Sequence, residues 1–349
     1  MMTLLKTFLK LPKCSAVIRA FSSENHVQEV SIPVPWGEIR GKWWGPTDQR
    51  PILCLHGWQD NCGTFDRLIP LLQKNVGFLA IDFPGHGYSS RLPIGIYYHF
   101  TTYMLTIQYI KKFFQWSKVS LMGHSLGGIS CYTYTMLYPE NVDFVICLDG
   151  AKPTINKNRI GIMAKYIDKF LQSNEQVSSG KEPPSYSIEE IKLKVHAPNK
   201  GSVDLEYTPY IIERNIAPSK EHPGKYYFTR DPRLKSGELL SFSQEELIEH
   251  AHNITCPIFM SKHKQGSYYE VKQNFYEVLD VLKRSSRDCD FHYVEGTHHG
   301  HLNNPEELAG LVSNFIRKHN IEDRNIGGIT PDIIVNKDPK MNKIFLTNT

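Results

Sequence analysis

The sequence predicts an α/β fold with a mostly parallel sheet, helices on both faces and a large inserted segment. Three observations support this prediction. Short apolar runs alternate with helix-like segments at residues 51–148, which is the pattern of successive βαβ units. The same alternation returns at residues 256–319. Between these blocks, residues 151–250 contain eight prolines and only short helical patterns, as expected for an insertion between two strands of one sheet.

Individual elements follow from the spacing of the apolar residues. Residues 30–34 and 38–44 flank a Trp-Gly pair and are typical of a hairpin. Short apolar runs predict buried strands, and apolar residues three or four apart predict helices. The predicted strands lie at 51–55, 77–81, 119–122, 142–148, 256–260 and 290–294, and the predicted helices at 65–72, 103–114, 126–138, 272–284 and 305–319.

These elements divide the chain into a core at residues 28–150 and 251–320 and an insertion at residues 151–250. Both ends differ in composition from the core. Residues 1–23 contain four basic side chains and no acid among leucines and phenylalanines. This is typical of a mitochondrial transit peptide, the alternative being a disordered basic tail on a cytoplasmic protein. Residues 321–349 are rich in Asn, Asp and Lys and predict a disordered tail.

Composition argues against several classes of protein. The 349 residues carry 40 Lys and Arg against 36 Asp and Glu. A net charge of +4 is too small to indicate a nucleic-acid partner. No apolar run approaches the roughly 18 residues of a membrane helix, so no transmembrane segment is expected. The seven cysteines are scattered and form no C-x-x-C pair, which argues against a disulfide framework and a structural zinc site.

The strongest catalytic signal is Gly123-His124-Ser125-Leu126-Gly127, a G-x-S-x-G sequence between a predicted strand and a predicted helix. In this setting the serine stands on a tight turn that lifts its hydroxyl clear of the sheet, and the glycines leave room for the turn. Ser125 is therefore the candidate nucleophile. The backbone N–H of Leu126 lies at the start of the following helix, where a free donor can stabilise an oxyanion.

A second oxyanion donor is expected from the loop after the strand at 51–55. That loop contains His56 and Trp58, and the backbone N–H of Trp58 is the candidate. We expect His56 to brace the loop through hydrogen bonds. The segment 82–89 contains Pro, two Gly and His86. This composition is typical of tight turns, so His86 is also expected to be structural.

Four stretches together resemble an α/β-hydrolase, and the resemblance covers residues 28–320. They are HGWQD at 56–60, DFPGHGYSS at 82–90, GHSLGG at 123–128 and EGTHHGHLNNPEEL at 295–308. Within that superfamily the chain is similar to the serine hydrolase-like (kraken-like) group, a placement that FTRDPRLK at 228–235 supports. The resemblance implies an α/β-hydrolase fold in which residues 151–250 form a cap domain over the serine.

The resemblance also implies where the catalytic base lies. In the family a histidine on the loop after the last strand stands seven residues before the proline that starts the final helix. His298 stands at that distance from Pro305, and His299 and His301 are the competing candidates. Three neighbouring histidines also raise a metal-site interpretation. No acidic or Cys partner stands at ligand spacing, so the sequence predicts no metal and no cofactor.

The acid of the triad is expected after the strand at 256–260, where the family usually has Gly-x-x-Asp. Here the stretch 260–266 contains no acid. The two substitutes are Asp149, at the end of the strand at 142–148, and Glu270, a few residues past the vacant position. We favour Asp149 because a strand end holds a carboxylate rigidly, and looseness of about 1 Å costs roughly a hundredfold in rate.

These residues predict a serine hydrolase of esterase type that acts through an acyl-enzyme on a small or medium carboxylic ester or related acyl substrate. Its catalytic residues would be Ser125, His298 and Asp149, with oxyanion donors from Trp58 and Leu126. The serine at the elbow argues against epoxide hydrolase or dehalogenase chemistry, for which the family uses Asp. The alternative is a non-catalytic binding protein on the same fold, which the absent Gly-x-x-Asp supports.

Overall fold

The computed structural model describes residues 27–155, 158–237 and 242–319 of the chain. The expected transit peptide at 1–23 and the expected tail at 321–349 lie outside these residues. The strands are β1 (Val27–Val34), β2 (Gly37–Trp44), β3 (Ile52–Leu55), β4 (Phe78–Ile81), β5 (Val119–His124), β6 (Val142–Leu148), β7 (Ser185–Tyr186), β8 (Ile216–Pro218), β9 (Tyr226–Phe228), β10 (Ile258–His263) and β11 (Cys289–Val294).

The helices alternate with these strands along the core. They are α1 (Phe100–Phe113), α2 (Leu126–Leu137), α3 (Arg159–Ser178), α4 (Ile188–His196), α5 (Pro198–Gly201), α6 (Thr208–Ile212), α7 (Gln244–Ala251), α8 (Lys272–Ser285), α9 (Gly300–Asn303) and α10 (Glu306–His319). None of the described helices is both long enough and apolar enough to cross a membrane.

The central sheet of the described chain has eight strands in the order β1-β2-β4-β3-β5-β6-β10-β11. β1 pairs antiparallel with β2, and β2 pairs antiparallel with β4. The remaining neighbours run parallel, which confirms the predicted mostly parallel sheet. Because parallel strands place their carboxyl ends at one edge, the loops after β3, β5, β6, β10 and β11 meet there.

Alternate residues of the strands pack on opposite faces of the sheet. In β5, Leu121 belongs to an apolar cluster that α1, α2 and α8 cover, whereas Met122 belongs to the cluster that α10 covers. The same alternation separates Val145 from Ile146 in β6. All four side chains are inaccessible to water. A parallel sheet needs a layer on each face, and the predicted helices on both faces are confirmed.

The inserted segment between β6 and α7 contains α3 to α6 and a small sheet in the order β7-β9-β8. The 20-residue helix α3 shows that the prediction of only short helical patterns was wrong. Prolines motivated that prediction, but those at 153 and 183 flank α3 and none falls inside it. At the far end, α7 packs on the core, since Leu247 and Ala251 belong to the same apolar cluster as α8.

The helix predicted at residues 65–72 is also absent from the described structure. Two short 3-10 segments replace it, one ending at Phe65 and the other containing Pro70. Proline has no N–H to donate, and its ring clashes with the preceding turn of an α-helix. Phe65 and Leu68 are nonetheless fully buried. The spacing therefore identified the buried side chains but not the backbone conformation.

Two buried arginines fasten the inserted segment to the loops of the core. Arg214, which follows α6, donates from Nε and Nη2 to Asp82 Oδ2 at 3.0 and 2.8 Å. Arg233 donates to both carboxylate oxygens of Asp231 and to carbonyl oxygens in the loop 92–96. The second contact gives the stretch FTRDPRLK a structural role.

Arg214 compensates the charge of a carboxylate that has no access to water. Burial alone would raise the pKa of Asp82, but Arg214 and the Cys62 N–H favour the ionised form and lower the pKa to about 2. Asp82 is therefore ionised in the folded protein. Removal of its partner would leave an uncompensated buried charge, which is far more costly than the loss of an exposed ion pair.

We expect Arg214→Met to lower the free energy of unfolding by about 3–5 kcal/mol at pH 7. Urea unfolding of the purified variant measures this loss. The penalty should shrink as the pH falls toward about 4, because burial raises the pKa of an unpaired Asp82 and protonation removes its charge. Arg317→Met, at an exposed position, is the matched control and should change stability by less than about 0.5 kcal/mol. Equal effects of the two substitutions would contradict this account.

Candidate active site

Ser125 stands on a strained turn between β5 and α2. Its backbone has φ 51° and ψ −117°, a region that L-residues other than glycine rarely occupy. Its N–H donates to Leu148 O at 3.0 Å, which ties the turn to the end of β6. Backbone strain of this kind costs of order 1–3 kcal/mol and persists only where the surroundings fix it.

Two glycines at the start of α2 let the helix approach the sheet closely enough to form this turn. A Cβ atom on Gly127 would lie 1.9 Å from Leu55 O, and one on Gly128 would lie 2.0 Å from Gly150 O. Both obstacles are backbone atoms, so a side-chain rotation cannot relieve the clash. The spacing of glycines in the sequence motif therefore reflects contact between α2 and the ends of β3 and β6.

Ser125, His298 and Asp149 form one hydrogen-bonded row. His298 Nε2 lies 2.9 Å from Ser125 Oγ, and His298 Nδ1 lies 2.5 Å from Asp149 Oδ2. The histidine follows β11 and the aspartate directly follows β6, so the three side chains come from strand ends at the same edge of the sheet. With Nδ1–H donating to the carboxylate, Nε2 carries the lone pair that can accept the serine proton.

Asp149 is fixed by the sheet and by its neighbours. Its backbone N–H donates to Ser261 O at 3.0 Å. Oδ1 accepts from Lys262 Nζ at 2.7 Å and from His263 N at 2.8 Å, which leaves Oδ2 for His298. The Asp149 side chain is completely buried, and the Lys262 ammonium compensates its charge.

Lys262 was not among the residues that sequence reasoning identified. It lies near the end of β10, close to where the family's acid is absent, and also donates to Ser267 O at 2.8 Å. A buried Lys is rare unless it is paired with an acid. Lys262 lies at the end of an apolar run that predicts a buried strand. This position was therefore a signal that a carboxylate lies at a neighbouring strand end.

Glu270, the competing acid, belongs to another buried pair. Its carboxylate lies 2.6 Å from Lys152 Nζ and accepts a hydrogen bond from Ile155 N at 3.0 Å. Only 3% of each charged side chain is exposed. Within the described chain no contact joins Glu270 to His298, so the geometry favours Asp149 as the acid.

Of the three neighbouring histidines, only His298 reaches the serine in the described structure. His299 Nδ1 lies 2.8 Å from Ser202 Oγ, and His301 Nε2 lies 2.8 Å from Thr64 Oγ1. Burial lowers the pKa of His299 and that of His301 well below the ordinary value. Both rings are therefore neutral at physiological pH.

His124 links the elbow to the loop of the candidate base, a role that sequence reasoning missed. Its Nε2–H donates to the backbone oxygen of His298 at 2.9 Å. Burial, together with the neighbouring histidines, lowers the pKa of His124 well below the ordinary value. Its position directly before the serine was the only sequence signal for this contact.

The two expected oxyanion donors belong to segments that adjoin the serine. Leu126 is the first residue of α2. A Cβ atom on Gly57 would lie 3.4 Å from Ser125 Cβ, so the loop that carries Trp58 adjoins the serine. Among the described residues, neither the Trp58 nor the Leu126 backbone N–H donates to a protein acceptor. Both donors are therefore available to a substrate oxygen.

His56 and His86 brace the neighbouring loops. His56 Nε2 accepts from Phe83 N at 2.9 Å, and its Nδ1–H donates to Gly57 O at 2.7 Å. His86 Nε2 accepts from Gln59 N at 3.2 Å. Burial lowers the pKa of His56 to about 4 and that of His86 well below the ordinary value. Neither ring contacts the serine in the described structure.

Among the residues that the structure describes, two groups of side chains could hold a metal ion. Asp60, His124 and His299 have ligand atoms within 4.8 Å of one another, and this group adjoins the candidate active site. The second group, formed by Glu182, Glu221 and His222, belongs to the inserted segment.

We expect Gly127→Ala to lower the free energy of unfolding by at least about 3 kcal/mol or to prevent folding, because the new methyl group meets Leu55 O. Gly310→Ala is the matched control. Gly310 is exposed in α10, and a Cβ atom there meets nothing within 4 Å. Alanine should raise stability there by about 0.5–1 kcal/mol. Urea unfolding of both variants tests the account, and stabilisation by Gly127→Ala would contradict it.

Comparisons with known proteins agree with this architecture. A family model described as "alpha/beta hydrolase fold" matches residues 50–187. A Drosophila melanogaster protein named "Probable serine hydrolase" is 37% identical over 84% of this chain and 89% of the fly protein. A Homo sapiens protein named "Serine hydrolase-like protein 2" is 30% identical over 83% of this chain and 94% of the human protein.

Solved structures show the same fold. A hypothetical protein from Pseudomonas aeruginosa is 26% identical, with a TM-score of 0.70 over 83% of this chain and 98% of its own. A thioesterase domain from the curacin biosynthetic pathway is 17% identical, with a TM-score of 0.66 over 82% of this chain and 99% of its own, and supports the fold alone. The chain therefore belongs to the α/β-hydrolase superfamily and, within it, to the serine hydrolase-like group.

Proposed function

We propose that the protein is a serine hydrolase of esterase type that cleaves a carboxylic ester or related acyl substrate through an acyl-enzyme. The observation that carries this proposal is the row of hydrogen bonds from Ser125 Oγ through His298 to Asp149. A serine hydroxyl is a weak nucleophile at neutral pH. It needs an adjacent base, and that base needs a group that orients it.

The proposed reaction has two halves. His298 Nε2 takes the proton of Ser125 as Oγ attacks the carbonyl carbon, and the departing alcohol then receives that proton. Water, deprotonated by the same imidazole, attacks the acyl-enzyme and releases the carboxylic acid and the serine. The backbone N–H groups of Trp58 and Leu126 would donate to the oxyanion in both halves. One such donor is typically worth about 10²–10³ in rate.

Asp149 would act on the imidazole and not on the substrate. Its Oδ2 holds His298 Nδ1–H in place and stabilises the imidazolium that forms during both proton transfers. Lys262 and His263 N–H hold the other carboxylate oxygen. The absence of Gly-x-x-Asp supports the alternative of a non-catalytic binding protein, whereas the contact of Asp149 with His298 supports the catalytic proposal.

We propose that the inserted segment forms a cap over the serine and lines the acyl site. Trp58 Nε1 donates to Leu234 O at 2.8 Å, and Thr297 Oγ1 donates to Ser202 O at 2.7 Å. These contacts join the segment to both loops that flank the serine. A small-molecule acyl substrate suits a serine that is covered by such a cap. The names of the relatives, which contain the words serine hydrolase, agree with the reaction class.

Ser125→Ala should lower turnover of short-chain aryl esters about a millionfold, because loss of the nucleophile disables the whole catalytic unit. Initial rates with p-nitrophenyl acetate and butyrate measure this. Ser178→Ala, which removes an exposed hydroxyl in α3, is the matched control and should retain the rate of the unsubstituted protein. Turnover by Ser125→Ala above about a tenth of the unsubstituted rate would rule out the proposal.

Asp149→Asn should lower kcat by about 10⁴, because an amide at this position favours the wrong tautomer of His298. Glu270→Gln breaks the separate pair with Lys152 and should cost stability but far less kcat. Circular dichroism and unfolding curves establish that the compared samples are folded. A large loss of kcat in Glu270→Gln alone would reverse the assignment of the acid.

We further propose that residues 1–23 direct the protein to mitochondria and are removed near residues 21–23. The support is the run of four bases without an acid before Glu24, which is the composition of transit peptides. N-terminal sequencing of the mature protein should find a start at about residue 22–24. An intact Met1 in a protein with a cytoplasmic distribution would contradict the proposal.

A further inference from the structure

Asp60, His124 and His299 converge beside the candidate triad from three separate parts of the chain. Asp60 lies on the loop after β3, His124 ends β5, and His299 follows the candidate base. Asp60 Oδ2 is 3.8 Å from His299 Nε2, and the ring centroids of His124 and His299 are 4.7 Å apart. We propose that these three side chains bind one Zn²⁺ ion, or a similar divalent transition metal.

The imidazoles of His124 and His299 can each present a nitrogen lone pair to the proposed ion. His124 donates its Nε2–H to His298 O, so the neutral ring carries no proton on Nδ1, and that atom is buried without a partner among the described residues. His299 Nδ1 lies 2.8 Å from Ser202 Oγ. With Nδ1–H donating there, Nε2 faces Asp60 with its lone pair. Metal-bound histidines usually donate their second N–H in this way, which fixes the tautomer.

Asp60 supplies a carboxylate that lacks a cation. Within the described chain five aspartates are buried, and Asp82, Asp143, Asp149 and Asp231 each pair with a Lys or Arg. Asp60 is the exception. Its Oδ1 accepts from Asn61 N at 2.8 Å, while Oδ2 is buried without a hydrogen bond. Burial raises the pKa of Asp60 to about 7, and a bound cation would offset the cost of the charge.

The donor set and spacing suit Zn²⁺. Two imidazole nitrogens and one carboxylate oxygen are a common three-ligand set for this ion, with water in the fourth position. At Zn–N and Zn–O distances of about 2.1 Å, tetrahedral ligand atoms lie about 3.4 Å apart. The Asp60–His299 pair is close to this spacing at 3.8 Å. Side-chain shifts of order 1 Å would bring all three atoms, now within 4.8 Å of one another, to the ion.

Occupancy would act on the proposed reaction through charge. The His298 ring centroid is 4.8 Å from that of His124 and 5.3 Å from that of His299. A dication held by those two rings would oppose formation of the His298 imidazolium. Zn²⁺ should therefore slow ester turnover. This consequence depends on the proposed function, whereas binding of the ion does not.

The test titrates ZnCl₂ into the metal-stripped full-length chain by isothermal calorimetry at pH 7.5. We expect one tight site per chain. Asp60→Asn and His299→Gln should each weaken that site at least tenfold. His222→Gln, which removes a ligand of the second candidate group, is the matched control and should leave it unchanged. His298→Ala should also retain the site, because His298 supplies no ligand atom and alanine keeps the backbone oxygen to which His124 donates.

Several results would overturn the proposal. They are no saturable binding by the unsubstituted chain, equal affinity in Asp60→Asn and His299→Gln, and loss of the site in His298→Ala or His222→Gln. Circular dichroism identifies any variant that fails to fold, and the two ligand substitutions are independent of each other. Ester turnover with and without Zn²⁺ is measured separately. If Zn²⁺ binds but does not slow ester turnover, the proposed metal site stands and only the predicted effect on His298 is contradicted.

Discussion

The buried carboxylate of Asp149 is the contact on which the candidate active site depends. One oxygen is held by Lys262 and the His263 N–H at the end of β10, and the other is held by His298 after β11. Asp149 itself is bonded through its backbone N–H to Ser261 O. A single side chain therefore joins three neighbouring strand ends. A buried charge must be compensated. The Lys262 ammonium that compensates Asp149 therefore also helps to fix the carboxylate that positions His298.

The same requirement applies to two buried arginines of the inserted segment. Arg214 compensates Asp82, and Arg233 compensates Asp231, and in both pairs the side chains are almost completely buried. The Arg214–Asp82 pair joins the inserted segment to the core, and Arg233 reaches the core through carbonyl oxygens in the loop 92–96. Asp60 lacks such a Lys or Arg among the described residues, and its neighbours are two neutral histidines. The proposed Zn²⁺ site follows from this difference.

Much of the fold and part of the site could be predicted from the sequence. Buried parallel strands are near-continuous apolar runs, so β3, β5 and β6 were visible, and the turn at Ser125 was identified by its glycines. Asp149 was preferred over Glu270 because it ends a strand, and the contact of Glu270 with Lys152 agrees with that choice. The local sequence pattern was sufficient to predict a side chain's position wherever a single strand or turn determined that position.

The remaining features depend on contacts between distant parts of the chain. Lys262 and Asp149 meet because β6 and β10 are neighbours, although the whole inserted segment separates them in sequence. Asp60 comes from the loop after β3, so no ligand spacing near His299 could have indicated it. Helix α3 was missed because of the prolines that flank it, and its apolar side chains gave little indication of a buried face, since several of them, including Ile160 and Leu171, are exposed.

The proposed function requires that Ser125 is a nucleophile activated by His298 and Asp149. The most direct measurement is reaction of the purified chain with a fluorophosphonate probe, followed by peptide mass spectrometry to locate the adduct. We expect a single adduct on Ser125 that forms rapidly in the unsubstituted chain. The same adduct should form much more slowly in a chain that lacks the Asp149 carboxylate. An unlabelled Ser125 in folded protein, or a rate that does not depend on Asp149, would contradict it.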